Sequence, residues 1–108
     1  LSGAAQAVIA QARTHARDGY LFPGPRGGVI SDMTMSRLME RRGMEARPHG
    51  FRSSLRTWLA EATEVPWDVA ETALQHVVGT RVQRSYQRSD YLEQRRDIME
   101  RWAQFCTG

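Results

Sequence analysis

Residues 49–62, with the sequence HGFRSSLRTWLAEA, carry the pattern that decides the fold. At about 100° per residue, a helix over these residues gathers its apolar side chains on one side and its polar side chains on the other. The apolar side holds Phe51, Leu55, Trp58 and Ala62, and the opposite side holds His49, Arg52, Ser53 and Arg56. The spacing therefore predicts a helix that packs with one face. Solvent is the default environment of the other face, although an imidazole and a guanidinium at a helix start also favour an anion.

Helical spacing extends through the rest of the chain, whereas the alternation typical of strands is nowhere sustained. The fold class is therefore predicted to be mainly α, with about five or six helices in a single multi-helix domain over residues 1–108. Besides 49–62, helices are predicted over residues 4–16, 31–42, 67–75 and 90–106. Ser31 is expected to cap the second of these helices, and Gly79 is expected to supply the left-handed cap after the helix 67–75.

The same spacing predicts which side chains are buried. Met35, Leu38 and Met39 form the expected buried stripe of the helix 31–42. Tyr91 falls on the apolar stripe of the last helix, so we expect it to be packed, and Cys106 near the end of that helix is expected to be a small buried side chain.

The composition is that of one soluble domain. The chain has 108 residues, of which 41% are hydrophobic and 25% are charged. It contains no apolar run of about 18 residues and no leader pattern at its start, which predicts a cytoplasmic protein without a membrane partner. One cysteine excludes an internal disulfide framework, and three histidines without zinc-ligand spacing predict neither a metal nor another cofactor.

The basic residues are unusual in kind. All 15 are arginine, against 12 acidic residues, which gives a net charge of +3. A guanidinium matches phosphate with a planar fork of donors, so an all-arginine set favours a phosphate or nucleic-acid partner. A coding bias in the genome is the alternative explanation for the missing lysine.

Three short motifs follow one another along the chain. They are His49-Gly50-Phe51-Arg52, then Leu74-Gln75-His76 followed closely by Gly79, and then Tyr86. With the flanking stretches PHGFRSSLRTWLAE, ALQHVVG, SYQRSDYLEQRR and MERWAQFC, and with the loop YLFPGPRGG upstream, nearly the whole chain resembles the C-terminal catalytic part of phage-integrase-type tyrosine recombinases.

The resemblance implies site-specific recombination or integration of a prophage or genomic island. It implies that Tyr86 attacks a DNA phosphodiester to form a 3′-phosphotyrosyl link, that Arg52 and His76 donate to the phosphate oxygens, and that His49 assists the tyrosine. The implied partners are double-stranded DNA at an attachment site and further copies of the parent enzyme in a homo-tetramer, with no cofactor or metal. The residues expected to contact DNA around this site are Arg56, Arg81, Arg84 and Arg88.

The chain departs from the family pattern in two places. The family also uses an upstream arginine and a lysine on a β-hairpin that protonates the leaving oxygen, and this chain contains no lysine. We therefore expect a fragment that starts downstream of both groups, lacks the β-hairpin region and has negligible activity by itself. A non-catalytic helical DNA-binding module and a decayed integrase remnant are the alternatives. Neither of them needs Tyr86.

Overall fold

The computed structural model describes the backbone of residues 1–86 and 89–108 and the side chains of residues 1–84 and 89–108. These residues form six helices and no β-strand, so the predicted mainly-α fold class is confirmed. The helices are α1 Gly3–Arg13, α2 Thr34–Arg41, α3 Pro48–Ala62, α4 Trp67–Ala73, α5 Arg81–Tyr86 and α6 Leu92–Thr107. None of them combines the length and the apolar character that a membrane crossing needs. The chain divides into two units, Leu1–Pro48 and His49–Gly108.

In the first unit, capping and turn residues set the ends of α1. The hydroxyl of Ser2 accepts a hydrogen bond from the N–H of Ala5 at 3.2 Å, which satisfies one free donor of the first turn. After the helix, Arg17 and Tyr20 exchange backbone hydrogen bonds across a turn whose central residues, Asp18 and Gly19, have φ values of 54° and 81°. Positive φ at both central positions is what such a tight turn requires.

Helix α2 is shorter and more exposed than predicted. The Ser31 hydroxyl accepts the N–H of Met33 at 3.1 Å, so Ser31 closes a turn ahead of the helix and does not cap the helix itself. Met39 is buried, but Met35 and Leu38 are 55% and 43% exposed, so the predicted stripe is wrong for two of its three members. Only one other helix, α1, is present in this unit to cover them.

The second unit has a core built from α3, α4 and α6. Leu59, Val69, Ala70 and Ile98 are buried, and Leu55, Trp58, Val65 and Tyr91 pack against them. The predicted packing of Leu55 and Trp58 is confirmed. Phe51 is 57% exposed, because it lies in the first turns of α3, whereas the core is centred about two turns further along at Leu59.

Helix α4 ends in a Schellman motif. The N–H of Gln75 donates to the carbonyl of Thr72 at 2.9 Å, and the N–H of His76 donates to the carbonyl of Glu71 at 2.8 Å. Gln75 takes the left-handed conformation, with φ of 59°. Gly79 also has a positive φ, of 79°, but it lies beyond this cap, so the prediction that Gly79 caps the helix is wrong.

Helix α6 begins after Tyr91, whose φ is 56°. The ring of Tyr91 packs against the core and its hydroxyl donates to Asp68 Oδ2 at 2.6 Å, so the predicted packing of Tyr91 is confirmed. Cys106 is exposed, and its predicted burial is wrong. The last turn of α6 runs past the core, as the 64% exposure of Phe105 also indicates.

Candidate active site

One pocket in the second unit brings together three of the four residues predicted to be catalytic. Its volume is about 280 Å³, and His49, Arg52 and His76 all line it. The first two come from one face of α3, as the helical spacing predicts, and His76 comes from the end of α4. The remaining lining residues are Ser53, Arg56, Thr57 and Leu74.

Arg52 is held in this pocket by the end of α4. Its guanidinium, through Nη2, donates to the carbonyl of Leu74, the C-cap residue of that helix. Carbonyls in the last turn of a helix lack an intrahelical partner, so this contact satisfies one of them. A guanidinium carries several N–H donors, and one bond to Leu74 leaves capacity to bind an anion.

A carboxylate that the sequence analysis missed pairs with two of the pocket residues. Arg56 Nε donates to Glu71 Oε1 at 2.7 Å, and His76 Nδ1 is hydrogen-bonded to Glu71 Oε2. The Glu71 side chain is only 13% exposed. The hydrogen bond to His76, followed by that to Arg56, holds the pKa of Glu71 below its ordinary value, so this carboxyl is ionised at neutral pH. The pairing of Glu71 with His76 could have been found from the predicted end of α4. A Schellman motif at a helix end brings together residues five apart, as Glu71 and His76 are.

His49 is the second residue of α3 and is exposed at the N-terminal end of this helix. The free N–H groups of a helix start and the positive end of its dipole favour anions at such a position. His49 and Arg52 therefore lie in the first two turns of α3, next to the end of the helix that favours anions.

His76 also borders a second, larger pocket on the side of α5. That pocket has a volume of about 750 Å³ and is lined by Thr72, His76, Val77, Val78, Arg84, Ser89 and Asp90. Arg81 and Arg84 of α5 are exposed. Tyr86 is the last residue of α5, and its side chain, like the whole of Arg88, lies outside the described residues.

Tyr91, the other tyrosine close to Tyr86 in sequence, has a structural partner. Its hydroxyl donates to Asp68, and this hydrogen bond raises the pKa of Tyr91. Loss of the phenol proton is therefore disfavoured at Tyr91, which makes it a poor nucleophile. Among the described side chains, no group of three or more His, Cys, Asp or Glu residues could hold a metal ion.

The chain belongs to the phage-integrase family, and the resemblance noted from its motifs is confirmed. It is 43% identical over 88 residues to the prophage integrase IntA of Escherichia coli (strain K12). The match covers 78% of this chain and 21% of IntA, so the chain spans about a fifth of the length of that relative. No protein-family model matches the chain, and no solved structure matches it.

Proposed function

We propose that the chain carries the phosphate-binding and nucleophile-bearing part of a tyrosine recombinase that integrates a prophage or genomic island into DNA. The observation that carries this proposal is the shared pocket of His49, Arg52 and His76, three residues from two motifs that lie apart in the sequence. The 43% identity to a prophage integrase supports the same function.

The proposed reaction is an exchange of phosphodiester bonds. The hydroxyl oxygen of Tyr86 attacks the phosphorus, the bond to the 5′-oxygen breaks, and a 3′-phosphotyrosyl link remains. His49 accepts the tyrosine proton, and the leaving 5′-oxygen becomes a hydroxyl by taking a proton from a general acid, a role that the resemblance gives to a lysine that this chain does not contain. The 5′-hydroxyl of another strand then attacks the phosphotyrosyl link and releases Tyr86. One phosphodiester replaces another, so no high-energy cofactor is consumed.

Arg52 and His76 are proposed to bind the two non-bridging oxygens of that phosphate. Negative charge builds on these oxygens as the fifth bond to phosphorus forms, and donors already fixed in place stabilise it without reorganisation. Loss of one such donor typically raises the barrier by about 3 to 4 kcal/mol. The contact between Arg52 and Leu74 supports this role, because it holds the guanidinium before substrate arrives.

DNA is the proposed partner, bound by the complete protein as a homo-tetramer. Arg84, which lines the larger pocket, and Arg81 on the same helix are both exposed, which suits contacts with neighbouring phosphates. Arg56 and Arg88 complete the proposed DNA-contacting set. The isolated chain, which has no lysine to protonate the leaving oxygen, is expected to bind duplex DNA weakly and to cleave it negligibly.

The test uses the complete gene product that carries these residues and a nicked duplex with the sequence flanking the gene, so that the cleaved end is lost and the intermediate accumulates. A denaturing gel and peptide mass spectrometry detect the adduct. We expect a covalent DNA adduct on the Tyr86 peptide that Tyr86→Phe abolishes and Tyr91→Phe retains. Tyr91→Phe is the matched control, because Tyr91 is bonded to Asp68.

Three outcomes would overturn the proposal. A protein that binds this duplex without forming an adduct would be the helical DNA-binding module, and one that neither binds nor reacts would be the decayed remnant. An adduct that survives Tyr86→Phe would place the nucleophile elsewhere.

A further inference from the structure

Glu71 is bonded to two residues that line the smaller pocket, Arg56 and His76, and belongs to none of the motifs that define the proposed function. Its two carboxylate oxygens are divided between two partners, with Oε1 bonded to Arg56 and Oε2 to His76. We infer that Glu71 is a positioning residue that keeps the Nδ1 proton on His76 in both charge states of the ring, so that His76 gains or loses a proton only at Nε2. The identity of the ligand at Nε2, a DNA phosphate, rests on the proposed function.

The carboxylate is suited to this task because its charge and its orientation are both fixed. It is 13% exposed, and its pKa is lowered by the same two contacts, so it remains an acceptor at neutral pH. An ionised carboxylate has no proton to donate, which leaves Nδ1 of His76 as the donor in the bond between them. The bond from Arg56 Nε holds one oxygen and thereby directs the other towards the imidazole.

The backbone brings the pair together independently of substrate. In the Schellman motif at the end of α4, the N–H of His76 donates to the carbonyl of Glu71 at 2.8 Å. The two residues are therefore joined both through the backbone and through their side chains. Arg56 connects Glu71 to α3 through a hydrogen bond. The imidazole of His76 is thereby held next to the face of α3 that carries Arg52.

The choice of ring nitrogen matters for a phosphate ligand. The hydrogen bond made by one nitrogen of a histidine sets the state of the other. With Nδ1–H bonded to Glu71, protonation at Nε2 gives an imidazolium whose new N–H points away from the carboxylate and can donate to a phosphate oxygen. The carboxylate also stabilises that imidazolium, as a buried carboxylate does in hydrolase triads.

Among the described side chains, other charged groups share the two pockets with His76, and Glu71 is the one bonded to its ring. From α3 these groups are His49, Arg52 and Arg56, and from the larger pocket they are Arg84 and Asp90. No hydrogen bond from these groups to the His76 ring is described, whereas Glu71 is bonded to its Nδ1. Glu71 is therefore the group whose removal is expected to change the proton position on His76 most.

The direct test is nuclear magnetic resonance of the 15N-labelled chain, without DNA. Long-range proton–nitrogen correlations of the imidazole identify which ring nitrogen carries the proton, across about pH 5 to 8. For the unaltered chain we expect His76 to carry the Nδ1 proton throughout, with Nε2 alone titrating. A neutral His76 protonated at Nε2 would overturn the inference without any variant.

Glu71→Gln supplies the second arm. An amide whose oxygen accepts from Arg56 turns its NH₂ towards His76, so the neutral ring should shift to the Nε2–H form. Glu64→Gln is the matched control, since Glu64 is 83% exposed and pairs with Arg101 at 3.1 Å, and it should leave the His76 signals unchanged. Arg56→Lys retains Glu71 and the positive charge but lacks Nε–H, so an intermediate loss of the Nδ1–H form is expected. Unchanged His76 signals in Glu71→Gln would overturn the inference.

In the complete gene product, Glu71→Gln is expected to slow single-turnover cleavage roughly 10- to 100-fold, by analogy with the loss when a metal-bound histidine loses the hydrogen-bond partner of its other ring nitrogen. The pH profile of cleavage should change with it, while duplex affinity and the Glu64→Gln rates stay the same. A cleavage rate and pH profile unchanged by Glu71→Gln would count against a positioning role. Absence of cleavage by the unaltered protein would overturn the proposed function and leave the tautomer result standing, so the two failures are distinguishable.

Discussion

Replacing Leu59 by alanine is expected to remove about 3 kcal/mol of the stability of the chain. Leu59 is 1% exposed in a core where, among the described residues, it is clustered with the buried side chains of Val69, Ala70 and Ile98. The carbon groups lost account for about 2.4 kcal/mol, at about 0.8 kcal/mol for each buried methylene equivalent. The cavity that remains raises the cost, and measured values for such changes span about 2 to 5 kcal/mol.

Urea denaturation of the chain, followed by far-ultraviolet circular dichroism, measures this loss. With a slope of about 1 to 1.5 kcal/mol per molar urea, the midpoint should fall by about 2 to 3 M. Phe51→Ala is the control, since Phe51 is larger but 57% exposed, and it should cost less than about 1 kcal/mol. Equal losses in the two variants, or a larger loss for Phe51→Ala, would refute the assignment of the core to the Leu59 side of α3.

Three further predictions concern the end of α4 and the basic surface. Gln75→Gly should raise the free energy of unfolding by about 0.5 to 1 kcal/mol, because the left-handed φ of 59° strains every residue except glycine; a lower urea midpoint would contradict this. The pKa of Glu71 is lowered on folding, so its contribution to stability is complete above its ordinary value of 4.5 and is lost as the pH falls through the folded value. Thermal midpoints measured against pH should therefore fall more steeply in acid for the unaltered chain than for Glu71→Gln, and parallel curves would argue against the pairing. Arg84→Ala should reduce the salt dependence of duplex binding by about one phosphate contact, a change of about 0.9 in the logarithmic slope, in a fluorescence titration. Arg101→Ala, which removes an arginine paired with Glu64, is the control for net charge, and equal slopes for both variants would exclude a specific contact at Arg84.

The helices and part of the site were predictable because they depend on local spacing. The bounds of α3 differ from the prediction by one residue, and the polar face of that helix does place His49 and Arg52 on one pocket. His76 came from the family resemblance. Helical spacing alone could not have predicted that His76 lies next to α3, since the position of His76 depends on how α4 ends.

The wrong predictions of burial have a common physical origin. Whether a side chain is buried depends on the helices that pack against its own helix, and not on the spacing within that helix alone. The apolar side of α3 is broad enough to include both Phe51 and Leu59, and the packing of α4 and α6 decides that Leu59 is covered. Glu71 was missed for a related reason. Its partner Arg56 lies 15 residues earlier, on a different helix, and no local pattern relates them.

The end of α4 gives the candidate site its geometry through contacts that also complete the helix. Arg52 satisfies the carbonyl of Leu74, and the Schellman motif that closes the helix brings His76 onto Glu71. An Arg52→Ala variant therefore loses a helix-end contact as well as a proposed phosphate ligand. The decrease in cleavage rate in this variant reports the loss of the phosphate contact only if the C-terminal end of α4 remains folded. The backbone amide of His76, bonded to Glu71, reports that directly, because its hydrogen exchange accelerates when the cap opens and stays slow when only the guanidinium is missing.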